Sequence, residues 1–358
     1  MNAHAPISAA PTAESDLEAC RESIRHGSLS FHAASHLLPA KVRDPALALY
    51  AFCRLADDAV DLHADKAAAV LRLRDRLDLA YAGRPLDAPT DRAFTRMIEA
   101  HDMPRVLPEA LLEGLAWDAT GRRYDTMEDL HAYSARVASA VGAMMCVLMG
   151  VRDRHALARA CDLGVAMQLT NIARDVGEDA FHGRIYLPVD WFTEAGIDPE
   201  DFLNDPLPTD PIRTMTKRLL AEAERLYQRS EPGVAELPFA CRPGIFAARH
   251  IYAGIGGAVR RNGYDSISWR GRTSKGQKAG WLGLSALRAG LSVITPGSPV
   301  LFAPALKATQ YLVDSAAAKP AEQLTWGQGR SGAVLEILAQ LESQDRARRA
   351  AATGVPAE

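Results

Sequence analysis

The dominant pattern along the chain is apolar residues at helical spacing, with few β-branched runs that alternate with polar residues. Breaks such as GRPLDAP and DPEDFLNDPLPTDP carry the Pro, Gly and Asp that are typical of loops. Ser15, with Glu18 three residues later, is the expected N-cap of the first helix. The pattern predicts an all-α fold, with helices over about 15–27, 44–63, 65–82, 89–101, 107–119, 127–149, 154–179, 211–230 and 241–262.

The helical segments predict a single all-α domain over residues 15–310. Residues 1–14 lack the basic start and apolar core of a signal peptide, and we expect a disordered leader there. Residues 311–358 are expected to form a helical or disordered tail. The late apolar tract at 289–306 is interrupted by Pro296, Pro299 and Pro304, which excludes a membrane-spanning helix in this tract.

Charge and cysteine content narrow the class of protein. The formal net charge of the 358 residues is −3, which argues against a nucleic-acid-binding protein. The five cysteines are widely spaced, odd in number and form no CxxC pair. This usage predicts reduced thiols in a cytoplasm, without a disulfide framework or a zinc site.

The stretch LYAFCRLADDAVDLHAD, at 49–65, places acids on an otherwise apolar helix. Asp57 and Asp61 lie one turn apart, and like charges at this spacing destabilise a helix by about 0.2–0.5 kcal/mol, and by more in dry surroundings. They share a helical face with Tyr50 and Arg54. We therefore expect an interaction partner that compensates the two acids.

A second segment, MQLTNIARDVGEDAFHGRIYLP at 167–188, nearly repeats this arrangement. On a helix, Gln168, Asn171, Asp175 and Asp179 fall on one face at i, i+3, i+7 and i+11. The alternative interpretation is two solvated helix faces, which a single acid pair would favour. Two matched acidic faces with apolar flanks favour a shared function instead.

Oxygen ligands on two acidic faces suit a hard divalent cation, Mg²⁺ or Mn²⁺. Acid–base hydrolysis of a sugar would need only two carboxylates, and no His or Cys spacing indicates zinc. Mg²⁺ usually takes one or two carboxylates and completes its shell with water and substrate phosphate. We therefore expect the acids to meet a phosphorylated substrate through bridging cations, with Arg54, Arg174 and Arg184 near enough in sequence to hold phosphate oxygens.

The apolar segment YSARVASAVGAMMCVLMG, at 133–150, carries small residues at Ala138, Ala140 and Gly142. Such residues either let a core helix pack closely on its neighbour or leave room for a long hydrocarbon chain. Beside a metal–diphosphate site, the second alternative indicates an isoprenyl diphosphate substrate.

The motifs SLSFHAASHLLP, YAFCRLADDAVD, YSARVASAVG and QLTNIARDVGEDAFHGRIYLP resemble the squalene/phytoene synthase family, and most closely its bacterial phytoene synthases. The similarity extends over about residues 17–285. It implies the isoprenoid synthase fold, a helical bundle around a central cavity with two aspartate motifs at its mouth. It also implies head-to-head (1′–1) condensation of two geranylgeranyl diphosphates, through a cyclopropyl diphosphate, to phytoene with release of two diphosphates.

The resemblance implies roles for individual residues. Asp57, Asp61, Asp175, Asp179 and Asn171 would bind metal, whereas Asp58 and Glu178 match the motifs but point away from the acidic faces. The residues implied near the reacting carbons or cations are Tyr50, Arg54, Tyr133, Gln168 and Tyr186, although the tyrosines have the alternative of simply packing. The implied substrate site comprises Ser28, Ser30, Phe31, Arg54, Val137, Ala138, Val141, Gly142, Arg174, Arg184, Tyr252 and Arg272.

Two segments depart from the family pattern or leave alternatives open. The family usually has a basic residue between the two hydroxylic positions that here are Ser28 and Ser30, where this chain has Leu29. In VRRNGYDSISWRGRTSKGQKAGW, a solvated basic surface is the default interpretation. The alternatives are that Arg270 or Arg272 reaches a diphosphate, or that the cluster meets anionic lipid.

Other members of the family give the competing functions. A C30 enzyme would make squalene, hydroxysqualene or dehydrosqualene from farnesyl diphosphate, and chain length depends on pocket depth. No NADPH is expected, since the chain has no GxGxxG after a predicted strand, although reducing squalene synthases bind NADPH without that motif. A non-catalytic assembly factor on this fold would be expected to have lost the metal-binding aspartates.

The implied C40 hydrocarbon is too apolar for release into water. We therefore expect peripheral association with the inner face of a membrane, with the tract at 281–306 as a contact surface, and hand-over of the product to later enzymes of carotenoid synthesis. The expected partners are two isoprenyl diphosphates, without nucleic acid.

Overall fold

The computed structural model describes residues 12–27, 34–62, 65–294 and 297–318, and for residues 25–27 and 61–62 it describes the backbone only. Within these ranges the chain is all-α, as the sequence predicts, and contains no strand. The helices are α1 Ala13–Gly27, α2 Ala40–Leu62, α3 Lys66–Tyr81, α4 Pro89–His101, α5 Val106–Ala119, α6 Met127–Ser134, α7 Ala140–Leu148, α8 Arg154–Phe181, α9 Val189–Ala195, α10 Pro199–Asn204, α11 Asp210–Val234, α12 Arg242–Arg261, α13 Lys275–Leu291 and α14 Gln310–Ala317.

Helix α8 is the central element of the bundle. Asp153 caps its N-terminus by accepting hydrogen bonds from the backbone N–H groups of His155 and Ala156, both at 2.9 Å. The helix ends after Phe181, where Gly183 adopts a φ of +72° that L side chains rarely adopt. At about 1.5 Å per residue, its 28 residues span about 42 Å, long enough to contact elements from both halves of the chain.

The predicted helix at 127–149 is continuous but contains one irregular turn. A π-helical segment, Ala135–Ser139, joins α6 to α7. Extra-wide turns of this kind shift the helical register and occur frequently at functional sites. The shift lies directly between Tyr133 and the small residues at 138–142.

Two apolar cores hold the bundle together. One is formed mainly by buried side chains of α1–α5, α7 and the start of α8, and the other by α6, the carboxyl-terminal half of α8 and α9–α11. At the start of the chain, Asp16 is 1% exposed and pairs with Arg92 at 2.5 Å and Arg96 at 2.7 Å, which ties α1 to α4. No helix among the described residues combines the length and apolarity that crossing a membrane requires.

The structure differs from the sequence expectation at the start of the chain and describes a helix at the start of the expected tail. Helix α1 begins before Ser15, because Thr12 and Ser15 cap each other: each backbone N–H donates to the other's hydroxyl, at 2.9 and 3.1 Å. The N-cap is therefore Thr12. Helix α14 buries Leu312, Val313 and Ala316 in the first core, so packed structure continues beyond residue 310. Residues 1–11 and 319–358, which the leader and tail expectations concern, lie outside the described residues.

Candidate active site

A cavity of about 280 Å³ lies between α2, the π turn with α7, α8, the end of α11 and α12. Along α8 its lining runs from Ala156 to Asn171, a rise of about 22 Å. Most lining side chains are apolar, and they include four residues of the substrate site that the family resemblance implies: Val137, Ala138, Val141 and Gly142. The cavity therefore has the length and polarity of a site for an extended hydrocarbon chain.

Two glycines allow the π turn to approach its neighbours closely. A Cβ on Gly114 of α5 would lie 2.5 Å from Val137 Cγ1, and a Cβ on Gly164 of α8 would lie 2.6 Å from Ser139 Cα. The Ser139 hydroxyl donates to the carbonyl of Cys161 on α8 at 2.7 Å and fixes this contact. The wall of the cavity is thus positioned by backbone-to-backbone packing.

One end of the cavity, its mouth, is bordered by α2. Tyr50 and Cys53 line the cavity, and Asp57 follows one turn after Cys53 on the same helix. Burial raises the pKa of Tyr50 to about 12, which keeps its phenol protonated at neutral pH. Arg54 is half exposed and forms an ion pair with Asp58 at 2.6 Å. Asp61 continues the helix, but its side chain lies outside the described residues.

Helix α8 borders the same mouth from the other side. Gln168 and Asn171 line the cavity, and Asp175 follows Asn171 by one turn. Asp175 accepts hydrogen bonds from Nε of Arg174 and Nε of Arg270, each at 2.8 Å. Arg270 also forms an ion pair with Glu178 at 3.0 Å. Of the two arginines that the sequence offers for a diphosphate, Arg270 therefore contacts α8, whereas Arg272 is exposed.

Tyr252 of α12 completes the mouth. It lines the cavity, and its pKa is raised by burial and lowered by the charge of Arg174. Tyr252 in turn contributes to the raised pKa of Tyr50. These electrostatic effects show that Tyr50, Arg174 and Tyr252 lie close together, so α2, α8 and α12 meet at one end of the cavity. This end is bordered by two helices that carry acids and by the arginines that contact them.

Asp179 is an acid of the site with a strongly raised pKa. Burial, together with the charge of Asp175, raises its pKa to about 8, while Arg184 acts in the opposite direction. Within the described residues, no group of three or more His, Cys, Asp or Glu side chains is arranged to hold a metal ion alone. The crowded carboxylates at Asp175 and Asp179 still fit a cation such as Mg²⁺ that takes one or two protein carboxylates and completes its shell with substrate phosphate.

Asp118 was not predicted from the sequence, and it contacts two of the predicted site residues, Tyr133 and Tyr186. Asp118, at the end of α5, accepts hydrogen bonds from the hydroxyls of Tyr133 at 2.8 Å and Tyr186 at 2.7 Å. The two tyrosine rings stack with centroids 5.1 Å apart, and Tyr124 packs against both of them. Asp118 also raises the pKa of Asp179, which places the tyrosine cluster next to the acidic helix.

The sequence offers little signal for Asp118, because it is a lone acid in LAWDATG without a partner at helical spacing. The predicted residues Ser28, Ser30 and Phe31 lie outside the described residues. For the other predicted site residues the structure gives positions and contacts, and their roles in binding and catalysis stay predictions.

Comparisons with known proteins agree with this geometry. The model of the family described as squalene/phytoene synthase matches residues 24–277. The chain belongs to the squalene/phytoene synthase family. It is 61% identical over 345 residues to a phytoene synthase of Cereibacter sphaeroides, an alignment that covers 93% of this chain and 96% of that protein. It is 58% identical over 337 residues to a phytoene synthase of Rhodobacter capsulatus, with 93% and 98% covered.

A solved structure supports the family's fold for this chain. The crystal structure of a dehydrosqualene synthase in complex with a ligand is 29% identical, with a TM-score of 0.71, and covers 78% of this chain and 98% of that one. The fold expected from the resemblance, a helical isoprenoid synthase bundle around a central cavity, is confirmed. The phytoene synthases at 61% and 58% identity show that the chain is an enzyme of the prenyltransferase type.

Proposed function

We propose that the protein is a phytoene synthase that joins two geranylgeranyl diphosphates head to head (1′–1) through a cyclopropyl diphosphate. The observation that supports this proposal most directly is an apolar cavity, about 22 Å long along α8, whose mouth is bordered by acidic residues of two helices. Such a site suits a molecule with a long hydrocarbon chain and an anionic head. The two phytoene synthases at 61% and 58% identity favour a C40 product, which would enter carotenoid synthesis.

The proposal includes dependence on Mg²⁺, with Mn²⁺ as a substitute. Asp57 and Asp61 on α2, and Asp175, Asp179 and Asn171 on α8, are the residues that would hold the ions. A bound Mg²⁺ acts as a Lewis acid that stabilises the charge of departing diphosphate. The support is the oxygen-only donor set and the environment of Asp179, where burial and the nearby charge of Asp175 raise the pKa to about 8, so that a cation would stabilise its carboxylate.

The protein's own residues would bind the head, confine the chain and exclude water. Arg174 lies beside Asp175, and Arg184 acts electrostatically on Asp179, so both guanidinium groups are placed to meet diphosphate oxygens. Val137, Ala138, Val141 and Gly142 would contact the hydrocarbon. Tyr50 lines the cavity and would present a neutral, polarisable ring to carbocations, whereas Tyr133 is buried beside Asp118 and does not line the cavity. The apolar wall would protect such cations from water.

Two other activities are outcomes of the same test. A C30 product from farnesyl diphosphate is the family alternative, in keeping with the dehydrosqualene synthase of similar fold. A non-catalytic assembly factor would give no product. We propose no role for NADPH, since the condensation to phytoene involves no reduction.

We also propose that the protein works in the cytoplasm at the inner face of a membrane. The support is chemical, because a C40 hydrocarbon partitions into lipid rather than water. Hand-over to later carotenoid enzymes would then take place in the bilayer.

The test is incubation of the purified protein with geranylgeranyl diphosphate and Mg²⁺, followed by the mass of the extracted hydrocarbon and the amount of diphosphate released. We expect a C40 hydrocarbon with two diphosphates per product, and no product in EDTA. Asp57→Asn and Asp175→Asn should lose at least a hundredfold in rate, about 2.7 kcal/mol. Asp190→Asn, at an exposed acid of α9, is the matched control and should retain activity. Full activity in EDTA or in both site variants would overturn the metal proposal.

A further inference from the structure

Helix α13 exposes a strip of large apolar side chains. Leu284, Leu287 and Leu291, at i, i+3 and i+7, share one face and are 40%, 60% and 42% exposed. Val293 and Ile294 extend the strip beyond the helix and are 64% and 77% exposed. Large apolar residues gathered on one surface mark a contact with another apolar surface. We call these five residues the apolar strip.

The opposite face of α13 is firmly attached to α12, so the strip is a permanent feature of the surface. A Cβ on Gly254 would lie 2.0 Å from the Trp281 ring, which shows that the indole packs directly on the α12 backbone. His250 and the Ser285 hydroxyl are hydrogen-bonded at 3.0 Å, and that hydroxyl donates to the Trp281 carbonyl at 2.6 Å. The strip is therefore the outer face of a helix that is already packed on its inner face.

The strip ends next to the deep end of the cavity, which is the end at Ala156 of α8, opposite the acidic mouth. A Cβ on Gly233 would lie 3.6 Å from the Ala156 carbonyl oxygen, so the end of α11 lies at this deep end. Leu237 lines the cavity, and its carbonyl accepts a hydrogen bond from Nε of Arg242 at 2.9 Å. The same guanidinium donates to the Ser292 hydroxyl at 3.0 Å, directly between Leu291 and Val293 of the strip. One arginine thus joins the inner wall of the cavity to the apolar surface outside.

The charge of this region identifies the occupant. Helix α13 contains three basic residues and no Asp or Glu, in a chain whose formal net charge is −3. They are Lys275, Lys278 and Arg288, and Arg288, which lies between Leu287 and Leu291, also contacts Glu231 at 3.4 Å. An apolar strip on a helix whose own charged residues are all basic complements an anionic bilayer, where each nearby basic residue strengthens binding.

We propose that the protein docks on anionic membrane lipid through the apolar strip, so that hydrocarbon leaves the deep end of the cavity into the bilayer. The second clause rests on the proposed function, whereas the docking itself does not. The arrangement separates the two products, since diphosphate leaves through the acidic mouth and hydrocarbon through the opposite end. A hydrocarbon that left by the mouth would have to pass the charged side chains of α2 and α8.

The test compares vesicle binding of two double variants without substrate. The full chain is sedimented with phosphatidylcholine vesicles that contain phosphatidylglycerol, and with vesicles of phosphatidylcholine alone. We expect binding that depends on phosphatidylglycerol and weakens with salt. Leu287→Glu with Ile294→Glu should weaken it by at least about tenfold, the effect of losing one buried apolar side chain. Leu86→Glu with Leu207→Glu, at exposed leucines in loops elsewhere, is the matched control and should bind normally.

Equal vesicle binding by the strip variant and the unmodified chain would overturn the proposal. The proposal is also overturned if the unmodified chain binds no vesicles and instead forms dimers in sedimentation velocity that the strip variant does not form. In that case the strip would join two copies of the chain. After turnover of geranylgeranyl diphosphate, hydrocarbon should sediment with vesicles for the unmodified chain and stay with the protein for the strip variant. Vesicle binding without hydrocarbon synthesis would contradict the proposed function and leave the docking surface intact.

Discussion

Gly164→Ala tests whether the cavity wall depends on close approach of the π turn to α8. The new Cβ would lie 2.6 Å from Ser139 Cα, 2.7 Å from Ser139 N and 2.9 Å from the Ala138 carbonyl carbon. All three are backbone atoms, so no side chain can turn aside to make room. The π turn and α8 must therefore move apart, and Ala138 and Gly164 both line the cavity.

The expected energy combines two opposing contributions. Replacing a helical glycine by alanine favours folding by about 1 kcal/mol. An extra carbon in a well-packed interior costs about 1–3 kcal/mol, and backbone overlap places Gly164→Ala near the upper limit. We therefore expect net destabilisation of about 2 kcal/mol. Gly280→Ala on α13, where a Cβ meets nothing within 4 Å, is the matched control and should stabilise by up to about 1 kcal/mol.

Urea unfolding measures both variants, with the same slope required for a valid comparison. Hydrocarbon synthesis at a temperature where both variants are folded then reports the shape of the cavity. We expect Gly164→Ala to lower the rate and Gly280→Ala to leave it unchanged. If both variants are stabilised to the same extent and make hydrocarbon at the same rate, the close approach of the π turn to α8 is not required. The account of the cavity wall would then be wrong.

Three further predictions concern ionisable groups. Asp118→Asn removes the charge that accepts hydrogen bonds from Tyr133 and Tyr186, so urea unfolding should show a loss of about 2 kcal/mol, with slower hydrocarbon synthesis; unchanged values for both would contradict this. Burial raises the pKa of Asp179 to about 8, so in EDTA the free energy of unfolding should fall as the pH rises from about 4 to about 8, and Asp179→Asn should abolish that slope. Burial lowers the pKa of His250 to about 4, so stability should be lost as the pH falls from about 6.5 to about 4; an unaltered acid limb in His250→Gln would refute this assignment.

The long helices could be predicted from the sequence because their apolar periodicity is strong and their ends carry caps and breakers. Helix α13 was missed because four glycines in Lys275–Leu291 lower its helix propensity. A signal was nevertheless present: Ser274 and Gln277 form a capping box, with Ser274 accepting from the Gln277 backbone and the Gln277 side chain accepting from the Ser274 backbone.

The candidate site was only partly predictable, for a physical reason. Spacing on one helix places Asp175 near Asn171, and spacing on another places Asp57 near Tyr50. The contact of Asp118 with Tyr133 and Tyr186 joins three separate elements, so no local pattern contains it. The π turn at Ala135–Ser139 has no residue signature of its own and depends on Gly114 and Gly164 in neighbouring helices. Tertiary packing decides both features.

The most direct measurement of the central claim is a competition between two substrates in one reaction. Geranylgeranyl and farnesyl diphosphate are supplied to the protein at equal concentrations with Mg²⁺, and the hydrocarbons are extracted and separated by mass. The account predicts that the C40 hydrocarbon dominates. A C30 hydrocarbon as the main product would contradict the substrate assignment, and the absence of any hydrocarbon from folded protein would contradict the proposed enzyme activity itself.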